Sequence, residues 1–167
     1  VLSKSGNYMI FFPSYQYTEQ VEYAVEDMDF PADLLVQGQG MKEQERQEFL
    51  EEFEKPRDHS LAAFCVMGGV FSEGIDLPGR QLDGVVVVGV GLPQVNLYQE
   101  VLRAHFERTL GDGFLYAYML PGMQKVTQAV GRVIRTETDT GVALLLDDRY
   151  SYPAYRRLMP EHWRVTR

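Results

Sequence analysis

The sequence predicts an α/β domain built on a mostly parallel sheet. Three features predict it: apolar runs that read as strands covered on both faces, helical periodicity between those runs, and a length suited to one core. Leu61-Ala-Ala-Phe-Cys-Val-Met67 and Val85-Val-Val-Val-Gly-Val90 are continuous rather than alternating, the pattern of a strand buried on both sides. Strands that alternate with helices imply parallel pairing through right-handed crossovers. At 167 residues and 45% apolar composition, residues 1–167 make one domain with an adequate core.

In chain order, Tyr8-Met-Ile-Phe-Phe12 reads as the first strand and is closed by Pro13-Ser14. Ser14 is placed to cap the helix that follows, in which Val21, Ala24, Val25 and Met28 have the spacing of a single buried stripe. Asp33-Leu-Leu-Val-Gln37 is a short second strand ending at Gly38-Gln-Gly40. Residues 41–55 form a helix with Phe49, Leu50 and Phe53 on its apolar side, and its six glutamates read as a solvated face. Leu61 to Met67, Val85 to Val90 and Val142 to Leu146 are strands three to five. Between the last two lies a helical addition. There Leu97, Val101, Leu102, Phe106 and Leu110 recur at helical spacing before Gly111-Asp-Gly113 breaks the pattern, and Phe114 to Leu120 suits strand or helix.

Composition excludes several classes. No stretch approaches the roughly 18 apolar residues of a membrane span, and the N-terminus lacks the layout of a secretory signal. A soluble, cytoplasmic domain without membrane partners is the expectation. Cys65, the single cysteine, lies in an apolar run, which rules out a disulfide framework or a cysteine metal site within the chain. The three histidines have no metal-ligand spacing, so no metal site is expected. Tyr116 and Tyr118 could stack bases but sit at positions that suit core packing.

The net charge of −8 argues against a generic electrostatic grip on DNA. The charge is uneven, since five arginines from Arg149 onward face one glutamate, Glu161. Any nucleic-acid contact is therefore local, through backbone amides and a few side chains.

A helix starting at Pro121-Gly122 and running to about Thr136 separates into two faces. Gln128, Arg132 and Arg135 stand at i, i+4 and i+7. Val126, Val130 and Val133 repeat that spacing two residues earlier, about 200° around the helix. Gly131 costs roughly 1 kcal/mol of helix stability against alanine, which makes sense if something must approach the backbone closely. Planar, permanently charged guanidiniums are suited to a transferring phosphoryl group. Pairing with surface acids explains the same spacing, and spacing alone leaves both open.

After the third strand, Gly68-Gly-Val-Phe-Ser-Glu-Gly-Ile-Asp-Leu-Pro-Gly79 stands at the carboxyl end of the sheet, where open α/β folds bind ligands. Asp76 is placed to accept hydrogen bonds from ribose hydroxyls, and Glu73 to orient basic partners or water. Taken in isolation, both acids read more readily as loop caps or turn residues.

Together these segments resemble the second motor domain of superfamily-two helicases of the DinG/XPD branch. Gln128-Ala-Val-Gly-Arg-Val-Ile-Arg135 looks like that branch's motif VI, Phe71-Ser-Glu-Gly-Ile-Asp-Leu-Pro78 like its motif V, and Asn7 to Tyr15, ending in Phe11-Phe-Pro-Ser-Tyr15, like its first strand and motif IV. The likeness extends through Leu144-Leu-Leu-Asp-Asp-Arg149, nearly the whole chain. It implies a RecA-like three-layer fold and a 5′-to-3′ DNA helicase in which ATP with Mg2+ lies between two RecA-like domains. The first of these would carry the phosphate loop, the metal and, as is usual but not universal in this branch, an iron–sulfur cluster.

The likeness also implies that Arg132 and Arg135 reach the γ-phosphate and Gln128 couples nucleotide to strand movement. Glu73, Gly74, Asp76 and Gly131 would line the nucleotide, and Ser14, Tyr15, Gln37, Gly38, Phe71 and Ser72 the single-stranded DNA. The chain has no Gly-Lys-Ser/Thr phosphate loop and no Asp-Glu-x-His/Asp motif. It is therefore expected to be a fragment that needs the first RecA-like domain of the same polypeptide and does not hydrolyse ATP alone. The alternative is a RecA-like module that binds DNA or protein without a catalytic role.

Overall fold

The computed structural model describes residues 4–72, 82–133 and 141–166. Among the described residues five strands form one sheet in the order β2-β3-β1-β4-β5. β1 spans Asn7–Phe12, β2 Ala32–Val36, β3 Ser60–Val66, β4 Gly84–Val88 and β5 Val142–Leu146. Every neighbouring pair is parallel. The helices are α1 Tyr15–Glu26, α2 Glu43–Glu51, α3 Leu97–Leu110, α4 Leu120–Val130 and the short α5 Pro153–Arg156. This is the expected RecA-like α/β fold, with its helical addition between β4 and β5.

β3 is buried at all of its residues, which is why its sequence is apolar from Leu61 to Val66. The register places Met9, Phe11, Ala63, Cys65, Val85 and Val87 on one face. Phe49, Phe53, Met123, Val126 and Val130 pack there in the main core. On the other face Phe12, Ala62 and Phe64 meet Val21 and Val25 of α1. The β1-to-β2 crossover moves along the sheet in the opposite sense from the later ones, so a right-handed connection puts α1 on the opposite side. α1 packs on β1 and β3, and at the far edge Val142 and Leu146 of β5 stay 66% and 47% exposed.

Two expected stripes need correction. In α1 the fully buried residue is Thr18, Val21 and Val25 are half-buried, and Ala24 and Met28 are exposed. The helix stops at Glu26, so Met28 has left its face. Of the α3 stripe, Leu102 and Phe106 are half-buried, while Leu97, Val101 and Leu110 are exposed. That helix leans on the Leu115–Met119 segment rather than on the sheet. The acidic side of α2 is as expected: Glu43, Glu45, Glu48, Glu51 and Glu54 are exposed, and Glu52 is half-buried against Lys55 and Arg57.

The ambiguous stretch from Phe114 to Leu120 is helical, with a π turn at Leu115–Met119 in which the Leu120 N–H bonds to the Leu115 carbonyl, five residues back. Proline at 121 has no N–H to offer the Ala117 carbonyl. The Gln99 side-chain amide supplies that donor from α3, which explains why a glutamine is only 8% exposed there. The arginine-bearing helix thus passes through Pro121-Gly122 instead of starting there, and it ends at Val130 with a turn at residues 131–133. Arg135 and Thr136 lie outside the described residues.

Candidate functional site

The described segments that follow β1, β2 and β3 meet at the carboxyl edge of the sheet. After β1, the Ser14 hydroxyl accepts the Tyr17 N–H at 3.2 Å and caps α1. After β2, Gln37 turns inward and is 2% exposed. Its Oε1 accepts the Val66 N–H at 2.9 Å, at the end of β3, and its Nε2 donates to the Tyr15 hydroxyl at 2.9 Å. One amide therefore ties together the ends of β2, β3 and β1. Gly38, immediately beyond, is exposed.

After β3, Gly68 adopts φ +72°, a left-handed conformation that favours glycine. Gly69 follows, and a side chain there would collide with the Gln37 amide, 2.9 Å from where its Cβ would stand. Ser72 is 0% exposed, its hydroxyl donating to the Gly69 carbonyl at 2.9 Å. Phe71 is 1% exposed and stacks on Phe49 at 4.2 Å between centroids. The loop is thus anchored from beneath.

α4 runs antiparallel to the strands. Gly122 abuts the Val90 carbonyl beyond the carboxyl end of β4, while Val133 abuts Gly141 just before β5. Val126, Val130 and Val133 are 0%, 5% and 6% exposed, and Gln128 is exposed, so the valine and polar faces separate as the spacing requires. Arg132, half-buried, donates from Nη2 to the Ser72 carbonyl at 2.7 Å. Gly131 has an ordinary helical φ of −62° and an exposed surface. Its backbone conformation does not demand glycine, and a Cβ there would meet only the carbonyls of its own helix.

Beside this face a cleft of about 350 Å³ opens between the ends of β1, β4 and β5, walled by Pro13, Tyr17, Gly91, Leu92 and Leu146. Arg149 borders it, bound to Asp147 through Nε at 2.8 Å and Nη2 at 2.7 Å. Hydrogen bonds from Arg149 hold the Asp147 carboxyl below the usual range. The Tyr150 hydroxyl donates to the Gly89 carbonyl at 2.6 Å, and burial pushes its pKa up. Burial likewise raises the Cys65 thiol, which is therefore an inert core residue. Among the described residues no group of three or more His, Cys, Asp or Glu side chains could hold a metal ion.

A profile of the helicase C-terminal domain matches residues 1–166. The chain belongs to the helicase C-terminal domain family. It is 32% identical over 127 residues to a Methanocaldococcus jannaschii protein named as a probable ATP-dependent helicase, covering 71% of this chain and 19% of that protein. It is 30% identical over 161 residues to the XPD helicase subunit of general transcription and DNA repair factor IIH from Dictyostelium discoideum, covering 90% of this chain and 20% of the relative. The chain thus spans about a fifth of these relatives' length. In fold it is similar to apo XPD, with a TM-score of 0.71 at 21% identity over 92% of this chain and 30% of that one. It is also similar to S. tokodaii Xpd4, with a TM-score of 0.62 at 18% identity over 95% and 30%. These matches agree with a C-terminal motor domain of the DinG/XPD type.

Within that frame, the structure brings Ser14, Tyr15, Gln37, Gly38, Phe71 and Ser72 to one edge, and Gln128, Gly131 and Arg132 to the adjoining helix face. Gln37, Phe71 and Ser72 bury their side chains. Glu73, Gly74, Asp76 and Arg135 lie outside the described residues. Sequence reasoning passed over Lys125, although it shares the face of Gln128 and Arg132 at i, i+3 and i+7. It also passed over the Asp147–Arg149 pair beside the cleft; an acid two residues before an arginine in Asp147-Asp-Arg149 was its signal.

Proposed function

We propose that this chain is the second RecA-like motor domain of an ATP-dependent, 5′-to-3′ DNA helicase. In this reading it completes a nucleotide site whose phosphate loop and Mg2+ belong to a first RecA-like domain. Arg132 and Arg135 act as arginine fingers on the γ-phosphate, Gln128 couples nucleotide to strand, and Glu73, Gly74, Asp76 and Gly131 line the nucleotide. Ser14, Tyr15 and Gly38 meet single-stranded DNA directly. Gln37, Phe71 and Ser72 contribute through the main chain they hold in place, because their side chains face inward. An iron–sulfur cluster, in this reading, belongs to the first domain, since Cys65 is buried in the core of this one.

The observation that carries the reading is the bond from Arg132 to the Ser72 carbonyl. It joins the helix that offers a cation to the loop that closes the strand-facing edge. A triphosphate that attracts the guanidinium competes with that carbonyl, so nucleotide state is transmitted to the loop by exchange of one charge-assisted hydrogen bond. Catalysis of this kind is positioning and charge stabilisation, and the chain alone, without a phosphate loop, is inactive. The test is to join the chain to its first domain and measure DNA-stimulated ATP hydrolysis. Stimulated turnover supports the reading; ATP-independent DNA binding with no turnover would show a binding module instead.

A further inference from the structure

We infer that Lys125 is a phosphate-binding residue for the single strand, distinct from the nucleotide-facing arginine on the same helix. The inference rests on the motor-domain reading above.

Lys125 lies on the polar face of α4, within about 60° of Gln128 and Arg132 around the helix. Along the axis it precedes Arg132 by seven residues, about 10 Å toward the carboxyl edge of the sheet. Its side chain crosses that edge. The Lys125 Cβ lies 3.5 Å from where a Cβ on Gly91 would stand, beyond the end of β4. Its Nζ lies 3.2 Å from the corresponding point on Gly68, beyond the end of β3. β1 is the strand between β3 and β4, so the lysine spans the ends of the three central strands. Gly68 and Gly91 both adopt positive φ, at 72° and 63°, and neither has a side chain to cover the ammonium. The outgoing connections of β1 and β4 leave for opposite faces of the sheet here, the kind of crevice in which open α/β folds receive ligands.

Charge points the same way. Among the described residues Lys125 makes no hydrogen bond or ion pair, whereas Arg149, also at this edge, is neutralised by Asp147. In a chain of net charge −8, affinity for a phosphodiester must come from individually placed cations of this kind. The separation from Arg132 is too large for the two to share one phosphate, and the strand is the phosphate-bearing ligand of this edge.

The test uses the polypeptide that carries both motor domains, with Lys125→Gln and Lys125→Arg variants, a labelled oligothymidylate and a potassium chloride titration. Lys125→Gln is expected to weaken strand binding about five- to tenfold. It should also reduce the slope of log K against log salt by about 0.7, the value for one phosphate contact on a single strand. KM for ATP should stay within about twofold, and Lys125→Arg should restore binding and slope. Because the arginine variant keeps charge and bulk, restored binding excludes misfolding as the cause of the loss. An unchanged slope in Lys125→Gln, or a raised KM for ATP with strand affinity intact, overturns the assignment while leaving the motor-domain reading in place. A wild-type protein that neither binds the oligonucleotide nor responds to it overturns both.

Discussion

Replacing Gln37 by methionine separates a structural role at the sheet edge from a direct strand contact. The side chain keeps its volume and loses both hydrogen bonds. The Val66 N–H, buried at the end of β3, then has no acceptor, which costs about 1–3 kcal/mol. Loss of the bond to the Tyr15 hydroxyl adds about 0.5–1.5 kcal/mol. The sum, about 1.5–4.5 kcal/mol, corresponds to a fall in Tm of roughly 3–18 °C for a domain of this size. Thermal unfolding followed by circular dichroism reads it, beside oligonucleotide binding at a temperature where both proteins are folded. A variant with the wild-type Tm and sharply weaker strand binding would refute the inward-facing role and make Gln37 a direct contact.

Other outcomes follow from individual bonds. Gln99→Leu should lower stability by about 1–3 kcal/mol, because the Ala117 carbonyl loses its donor. The loss should shrink in a Pro121→Ala background, where the helix regains a backbone N–H; equal losses in both backgrounds in denaturant titrations would reject the proline explanation. Asp147 has a folded-state pKa below its ordinary value because Arg149 donates to it. Its contribution, about 1 kcal/mol for a partly buried pair, is therefore present above the usual carboxylate range near pH 4 and lost as pH falls through the lowered value. Asp147→Asn should lower stability at neutral pH and flatten that acid limb. Parallel pH–stability curves for variant and wild type would contradict this.

Much of the sheet was legible: burial on both faces left a direct trace in β3, apolar from Leu61 to Val66, and the apolar run Val142–Leu146 marked β5 even though that edge strand stays largely exposed. What sheet neighbours do was less legible. The α3 periodicity marks a face but not a partner, and Leu97, Val101 and Leu110 prove exposed while polar Gln99 is buried. The burial of Gln99 traces to Pro121, whose missing N–H leaves the Ala117 carbonyl, 18 residues from Gln99, to the glutamine amide. At the candidate site, Ser14 was readable as a helix cap from local chemistry alone. Gln37 was not, because its partner is the Val66 N–H, 29 residues distant, exposed only where the β2–β3 ladder ends. The two faces of α4 follow from helical arithmetic, but the union of Arg132 with the Ser72 carbonyl joins residues 60 apart in sequence.

In the proposed reading, the polar face of α4 completes a nucleotide site and communicates with the loop after β3. The most direct test of that reading is DNA-stimulated ATP hydrolysis by the polypeptide joining this chain to its first motor domain, comparing wild type with Arg132→Ala. Removal of an arginine finger is expected to lower kcat by about 10³-fold or more, with the fold retained by circular dichroism and KM for ATP much less affected. Turnover in Arg132→Ala equal to that of the wild type would contradict the account.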